Sequence, residues 1–217
     1  MAYRRTENVI RRLAARKQVI LDAAAALAAA GGLAAVQIAA VAARAGIAVG
    51  TVYRYFPRKI DLIADLMARV AAETIDAVRD AAEAAPGPLS ALAATIAALA
   101  THVLGARGLV WSALGETVGA ELDAAQREFR RALANEIETR IKAAIAGRHL
   151  PEQDTRTSSV AVLGALIEGL TGPLAFPSAE SAGAQRGIVQ DMTLFVLRAL
   201  GVADARARGL VAQLELS

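Results

Sequence analysis

The run Gly50-Thr51-Val52-Tyr53-Arg54-Tyr55-Phe56, followed by Lys59, gathers hydroxyl, aromatic and cationic groups in a chain that has only three Tyr, four Phe and one Trp. Upstream, Val41-Ala42 and Ala45-Gly46-Ile47 complete a pattern of two short helices joined by a glycine turn. In such a pair Gly46 supplies the turn and Val41, Ile47 and Val52 lock the helices together. The residues from Val49 to Tyr55 that point away from that lock are small at the front, hydroxylated in the middle and cationic or aromatic at the back. Small residues let a helix enter the major groove of a duplex. The hydroxyls of Thr51 and Tyr53 and the ammonium of Lys59 reach phosphate oxygens, and Arg54 suits phosphate or guanine. Gln37, Arg44, Ala48, Val49, Gly50 and Tyr55 complete the expected DNA-facing set. Tyr55 and Phe56 equally suit packing inside the protein, and for Phe56 packing is the better fit.

Catalysis has little to draw on. The two histidines stand 47 positions apart, there is no cysteine, and no nucleophile elbow, phosphate-cradling glycine loop or metal-ligand spacing occurs. Neither an enzyme nor a cofactor or metal site is therefore expected. The lack of cysteine suits a reducing cytoplasm.

The charge is divided unevenly. Residues 1–69 carry 11 Lys and Arg against four acids, a net +7, whereas the other 148 residues net −4. A basic front joined to an acidic remainder fits a protein in which one part faces a polyanion. The six basic residues from Arg4 to Lys17 read as a flexible arm that tracks a nucleic-acid backbone or minor groove.

These groups have to be held by helices. A quarter of the chain is alanine, the strongest helix former, and no strand alternation survives inspection. A first helix is expected from between Thr6 and Arg12 to Ala30, ended by Gly31-Gly32. Short helices follow over Gln37 to Arg44 and Ala48 to Tyr55. A long one then runs from about Arg58 to Ala84, roughly 40 Å, until Pro86-Gly87-Pro88. Beyond it come helices from Pro88 to about Leu104, around Trp111, from Leu122 to Ala146, from Thr155 to Leu170 with Asp154 or Thr155 as cap, from Ile188 to Leu200, and a short one after Asp204. The uncharged stretch from Ala23 to Ala43 is long enough to cross a bilayer, but it is mostly alanine and has Gly31-Gly32 inside it. Two helices with a turn are expected there, with no membrane partner and no signal peptide.

Over residues 17–67 the chain resembles the tetracycline-repressor (TetR) family of bacterial transcription regulators. Ile20, Ala23, Ala24, Leu27, Gly31, Val41-Ala42, Ala45-Gly46-Ile47, Gly50-Thr51-Val52-Tyr53, Tyr55-Phe56, Lys59 and Leu62 carry the likeness. The resemblance implies that the helix from Val49 to Tyr55 is a recognition helix, with Thr51, Tyr53 and Lys59 on phosphates. It also implies an all-α fold in which the long fourth helix links a DNA-binding domain, residues 1–60, to a helical ligand-binding and dimerisation domain, residues 61–217. Three positions depart from the family's habit. Val36-Gln37 stands where a Thr or Ser pair commonly caps, Ala39 replaces a polar or basic residue, and Ala48 replaces a capping Ser.

In the larger domain the likeness is to the family's plan alone. Val160, Leu163, Gly164 and Ile167, with Leu194, Phe195 and Leu197, suit a four-helix seam between two copies. They also suit the inside of a single chain. His102, Arg107, Trp111, Glu116, Phe129 and Arg130 are the candidate contacts for a small effector. The expectation is a cytoplasmic, homodimeric, DNA-binding transcriptional regulator, a repressor released by a small molecule. The alternative is a DNA-binding or interaction protein with a solid core and no effector.

Overall fold

The computed structural model describes residues 2–105, 107–114, 119–171, 175 and 181–214, with side-chain surroundings given from Arg11 onward except at 107, 108, 111 and 112. The described residues form ten helices and no strand: α1 (Ala2–Ala35), α2 (Ile38–Ala45), α3 (Val49–Tyr55), α4 (Lys59–Glu83), α5 (Pro88–Gly105), α6 (Arg107–Leu114), α7 (Ala120–Ala146), α8 (Thr155–Leu170), α9 (Ala182–Ala199) and α10 (Asp204–Ala212). The all-α expectation holds.

The breaks follow local chemistry. Inside α1, Gly31 (φ −150°, ψ 24°) and Gly32 (φ 67°, ψ −173°) leave helical geometry, so the regular helix stops there as the glycine pair implies. Gly46 ends α2 in the left-handed region (φ 63°), donating its N–H to the Ala42 and Ala43 carbonyls. Asp154 caps α8 by accepting from the Thr157 amide at 2.5 Å.

Two expectations need correction. The first helix starts at Ala2 rather than between Thr6 and Arg12, so the basic N-terminus is helical. At its end Lys17 pairs with Asp65 on α4 and lies 5.6 Å from the Phe56 ring centre. Helix α9 starts six residues before Ile188, because Ser181 accepts from the Ala184 amide and opens it. The intervening Ala, Gly, Gln and Arg residues carry no apolar stripe by which periodicity could reveal them.

One continuous core runs through the molecule. In the N-terminal unit Ile20, Ala24 and Ala28 of α1 meet Val41 of α2, Val52 of α3 and Leu62 and Leu66 of α4, all buried. In the larger part α5 is central, packed against α4, α7 and α9 through residues such as Leu92, Ile96 and Leu99. Helix α6 joins the two parts, touching α1, α4, α5 and α7. Residues Arg11–Ala35 and Pro88–Gly105 are each long and apolar enough to cross a membrane. The glycine pair breaks the first, and the second packs inside the bundle.

Four carboxylates are held below their ordinary range by partners: Asp61 by Arg58, Glu138 by Lys142 and then Thr155, Asp154 by Thr157, and Asp204 by Arg198 and Arg208. A depressed carboxylate stabilises the fold above its unfolded value, and this contribution is lost as pH falls through the lower, folded one. The melting temperature is therefore expected to drop on acidification below the ordinary values of 3.8 for Asp and 4.5 for Glu. Each contribution is small because the groups stand at the surface, Asp154 and Asp204 exposed and Asp61 and Glu138 half-buried. Thermal scans from pH 7 to pH 3 check this, and a flat profile would contradict it.

Candidate nucleic-acid interface

Helices α2 and α3 cross through an apolar lock. Ile38, Val41 and Ala42 of α2 and Val52 of α3 are buried, and Ile47 packs against them. The Ile47 amide donates to the Ala42 carbonyl at 3.0 Å, which fixes the turn around Gly46. With Val52 turned inward, helical geometry turns Val49, Gly50, Tyr53 and Arg54 outward. All four are exposed, Val49 at 42% and Tyr53 at 49%. Thr51 is half-buried at the edge of that face.

The exposed face makes few commitments to its own chain. Nothing lies within 4 Å of where a Gly50 side chain would begin, so the protein's own packing does not require glycine there. Glycine in a helix interior costs about 1 kcal/mol relative to alanine, and no internal contact accounts for it. Arg54 lies 5.8 Å from the Tyr55 ring centre. Helix α3 begins at Ala48 (φ −69°, ψ 144°) without a side-chain cap, and α2 begins at Gln37, whose side-chain amide turns back to the Ala34 carbonyl at 2.9 Å.

The remaining predicted residues take different places. Arg44 is exposed in the last turn of α2, Ala48 is exposed at the start of α3, and Lys59 is half-buried at the first position of α4. Tyr55 is half-buried against the core, and Phe56, in the link between α3 and α4, is only 2% exposed. The sequence could not settle how Tyr55 and Phe56 divide the two roles, because aromatic residues serve both.

Reasoning from sequence also missed a cationic concavity of about 550 Å³ beside α3, formed by Arg12, Arg16 and Arg54 around Leu13, Val19 and Tyr55. The signal is the register of α1. Arg12, Arg16 and Val19 recur every three to four residues on one face, a regularity that a loose arm would not need.

Ion pairs tie this unit to the rest. Lys17 and Asp22 of α1 meet Asp65 and Arg69 of α4, the second pair at 2.6 Å. Helix α4 is bound to α7 near both ends, by Arg58 with Glu121 at 3.1 Å and by Arg79 with Glu136 at 2.5 Å. The Asp61 carboxylate accepts the Arg58 backbone amide at 3.0 Å and also holds its guanidinium, whose pKa this contact raises.

The other predicted sites divide. On α8 and α9, Val160 (50% exposed), Gly164 and Phe195 (55%) face outward, with Ile167 and Leu194 half-buried beside them. Leu163 and Leu197 are buried within the chain, because the same helical turns that expose their neighbours rotate them inward. Of the effector candidates, His102 lines a cavity among α4, α5 and α10. Phe129 is buried, and the Arg130 guanidinium donates to the Leu114 carbonyl, from Nε at 2.8 Å, fastening the end of α6 to α7. The side chains of Arg107 and Trp111, and Glu116 altogether, lie outside the described residues.

A family model described as bacterial regulatory proteins, tetR family, matches residues 20–66. The HTH-type transcriptional repressor KstR of Mycolicibacterium smegmatis is 51% identical over 72 residues, which are 33% of this chain and 35% of that protein. The likeness to this curated relative thus spans about a third of its length. Across the whole fold, the fatty acid degradation regulator FadR from Bacillus halodurans superposes with a TM-score of 0.73 at 21% identity, covering 87% of this chain and 97% of that one. FadR from Bacillus subtilis in complex with stearoyl-CoA gives 0.69 at 22% identity, covering 86% and 98%. Residues 20–66, from α1 into α4, are thus similar to the tetR family of bacterial regulatory proteins, and the whole fold is shared with these solved structures.

Proposed function

We propose that the chain is a DNA-binding transcriptional regulator, a repressor that a small molecule releases from its operator, working as a cytoplasmic homodimer rather than as an enzyme. Residues 1–60 would read DNA and residues 61–217 would bind the effector and the second copy. The observation that carries the reading is the outward face of α3. Val49, Gly50, Tyr53 and Arg54 are left out of the core, and the glycine leaves room for a close external surface. Thr51, Tyr53 and Lys59 would bond phosphates and fix the helix in the groove, while Gln37, Arg44 and the Ala48 end would lie along its walls. The basic concavity of Arg12, Arg16 and Arg54 extends the same positive surface.

Release needs two states with different separations of the recognition helices, which must match major grooves about 34 Å apart or a multiple of it. The pairs that fasten α4 to α7 give an effector in the larger part mechanical access to the reader. Only an effector with unequal affinity for the two states can shift them. The repressor KstR and the stearoyl-CoA complex of FadR support both halves of this reading by analogy.

The test is the triple variant Thr51→Ala, Tyr53→Ala, Lys59→Ala. Each removed group forfeits a hydrogen bond to a charged oxygen, so duplex affinity should fall on the order of 10²–10³-fold. The slope of log K against log salt should flatten by about one for Lys59. Unchanged circular dichroism with unchanged duplex binding would refute the assignment.

The second copy would cover the face of Val160, Gly164, Ile167, Leu194 and Phe195. Like Gly50, Gly164 has nothing within 4 Å of the position a Cβ would take, which suits close helix contact across a two-fold axis. Phe195→Asp should halve the mass seen by sedimentation; a dimer of undiminished strength would remove this face from the interface.

A further inference from the structure

A cavity of about 640 Å³ lies between the C-terminal half of α4, the length of α5 and the end of α10. Its walls are made mostly of the smallest side chains. Ala77 and Ala81 on α4 and Ala94 and Ala98 on α5 stand four residues apart, so each helix offers a row of methyl groups to the other. Helices with such rows normally close to about 8 Å. Helices α4 and α5 pack against each other here as well, and the trough is the space that their small side chains leave beside that contact and the end of α10. Leu210 and Leu214 form the third wall.

The shape and chemistry of this space restrict its occupant. Ser90 and Thr101, both lining residues, are 11 positions apart on α5, which makes the trough about 16 Å long. Its volume falls within the range of small-molecule sites, roughly 300–1,000 Å³. Its polar side chains are neutral hydroxyls and an amide, with His102 at one end; among the described residues no Asp, Glu, Lys or Arg lines it. Burial lowers the His102 pKa, against a weaker opposing pull from Glu73, which favours the neutral ring with one donor and one acceptor.

We propose that this alanine-walled trough binds an elongated, uncharged, mainly apolar small molecule whose hydrogen-bonding group meets Thr101 and His102. The site keeps His102 of the expected effector contacts and leaves Phe129 and Arg130 aside, and it borders α4, which follows the proposed recognition helix. The binding stands by itself; its consequence at DNA rests on the effector reading above.

The experiment uses the full chain and N-phenyl-1-naphthylamine, an uncharged apolar fluorophore with one N–H. Saturable one-to-one binding is expected. Ala94→Leu with Ala98→Leu fills the trough and should weaken binding about tenfold or more without lowering the melting temperature, since the added methyls enter empty space. Ala81→Leu, from the opposite wall, serves the same purpose if the double variant misfolds. His102→Ala removes one hydrogen bond and should weaken binding about three- to tenfold. No saturable binding, or equal binding by the filled and parent proteins, overturns the site.

Duplex binding, measured in parallel, separates the two claims. Probe binding lost on filling the trough, with no effect of the probe on duplex affinity, supports the site and counts against effector control. Duplex release by the probe that survives filling does the reverse.

Discussion

Phe56→Ala is expected to destabilise the N-terminal unit by about 3–5 kcal/mol and to abolish duplex binding as a consequence. Phe56 is 2% exposed, stands directly after α3, and belongs to the same buried core as Val52 of α3 and Leu62 and Leu66 of α4. Its ring also carries Lys17, 5.6 Å from the centroid, so the pairing of α1 with Asp65 loses its floor. Truncation leaves a cavity where three helices meet, and a unit of this size has only a small margin of stability to absorb it. Thermal unfolding followed by circular dichroism should show the loss. An unchanged melting temperature would mean that Phe56 is not the packing link between reader and long helix.

Gly50→Leu should have the opposite profile. Nothing lies within 4 Å of the position where the new side chain starts, so the protein accommodates it. Replacing glycine by leucine in a helix favours folding by roughly 0.8 kcal/mol, and the melting temperature should hold or rise. Duplex binding should nevertheless fall by more than about 10²-fold, because a four-carbon branch on the exposed face of α3 prevents close approach to base edges. The contrast with Phe56→Ala matters: one variant loses binding by losing the fold, the other loses binding while gaining stability. A Gly50→Leu protein that still bound its duplex would remove α3 from the groove.

How much of this is legible in the sequence depends on whether a residue's type admits one role or two. The helix breaks at Gly31-Gly32, Gly46 and Pro86-Gly87-Pro88 are legible because few conformations suit those residues, and the structure ends helices there. The bounds of α8 follow from Asp154, a short acceptor at the required spacing from the Thr157 amide. The start of α9 is hidden because a cap such as Ser181 is legible only when an apolar stripe follows it. The burial of Leu163 and Leu197 is not legible because leucine suits a subunit seam and an interior equally, and only the rotation of each helix distinguishes them. The alanine-walled cavity is illegible for a deeper reason. Alanine rows bring α4 and α5 together, and the space beside them is closed by Leu210 and Leu214, whose approach from the far end of the chain no local pattern encodes.

The pairs that fasten α4 to its neighbours are likewise invisible in sequence, since the Arg58–Glu121 and Arg79–Glu136 partners lie 63 and 57 positions apart. As exposed pairs they matter less for stability than for geometry. They fix the position of α4, which packs on α1, relative to α7. Helix α6 adds a second route, because Arg130 of α7 holds its last carbonyl while its body packs against α1.

Selection from a pool of random-sequence duplexes with the purified protein tests the central claim most directly. The account predicts enrichment of an inverted repeat whose half-sites lie a whole number of helical turns apart, retained by the parent protein and lost by Gly50→Leu. A folded, dimeric parent that enriches no sequence, or a Gly50→Leu variant that enriches the same one, would contradict it.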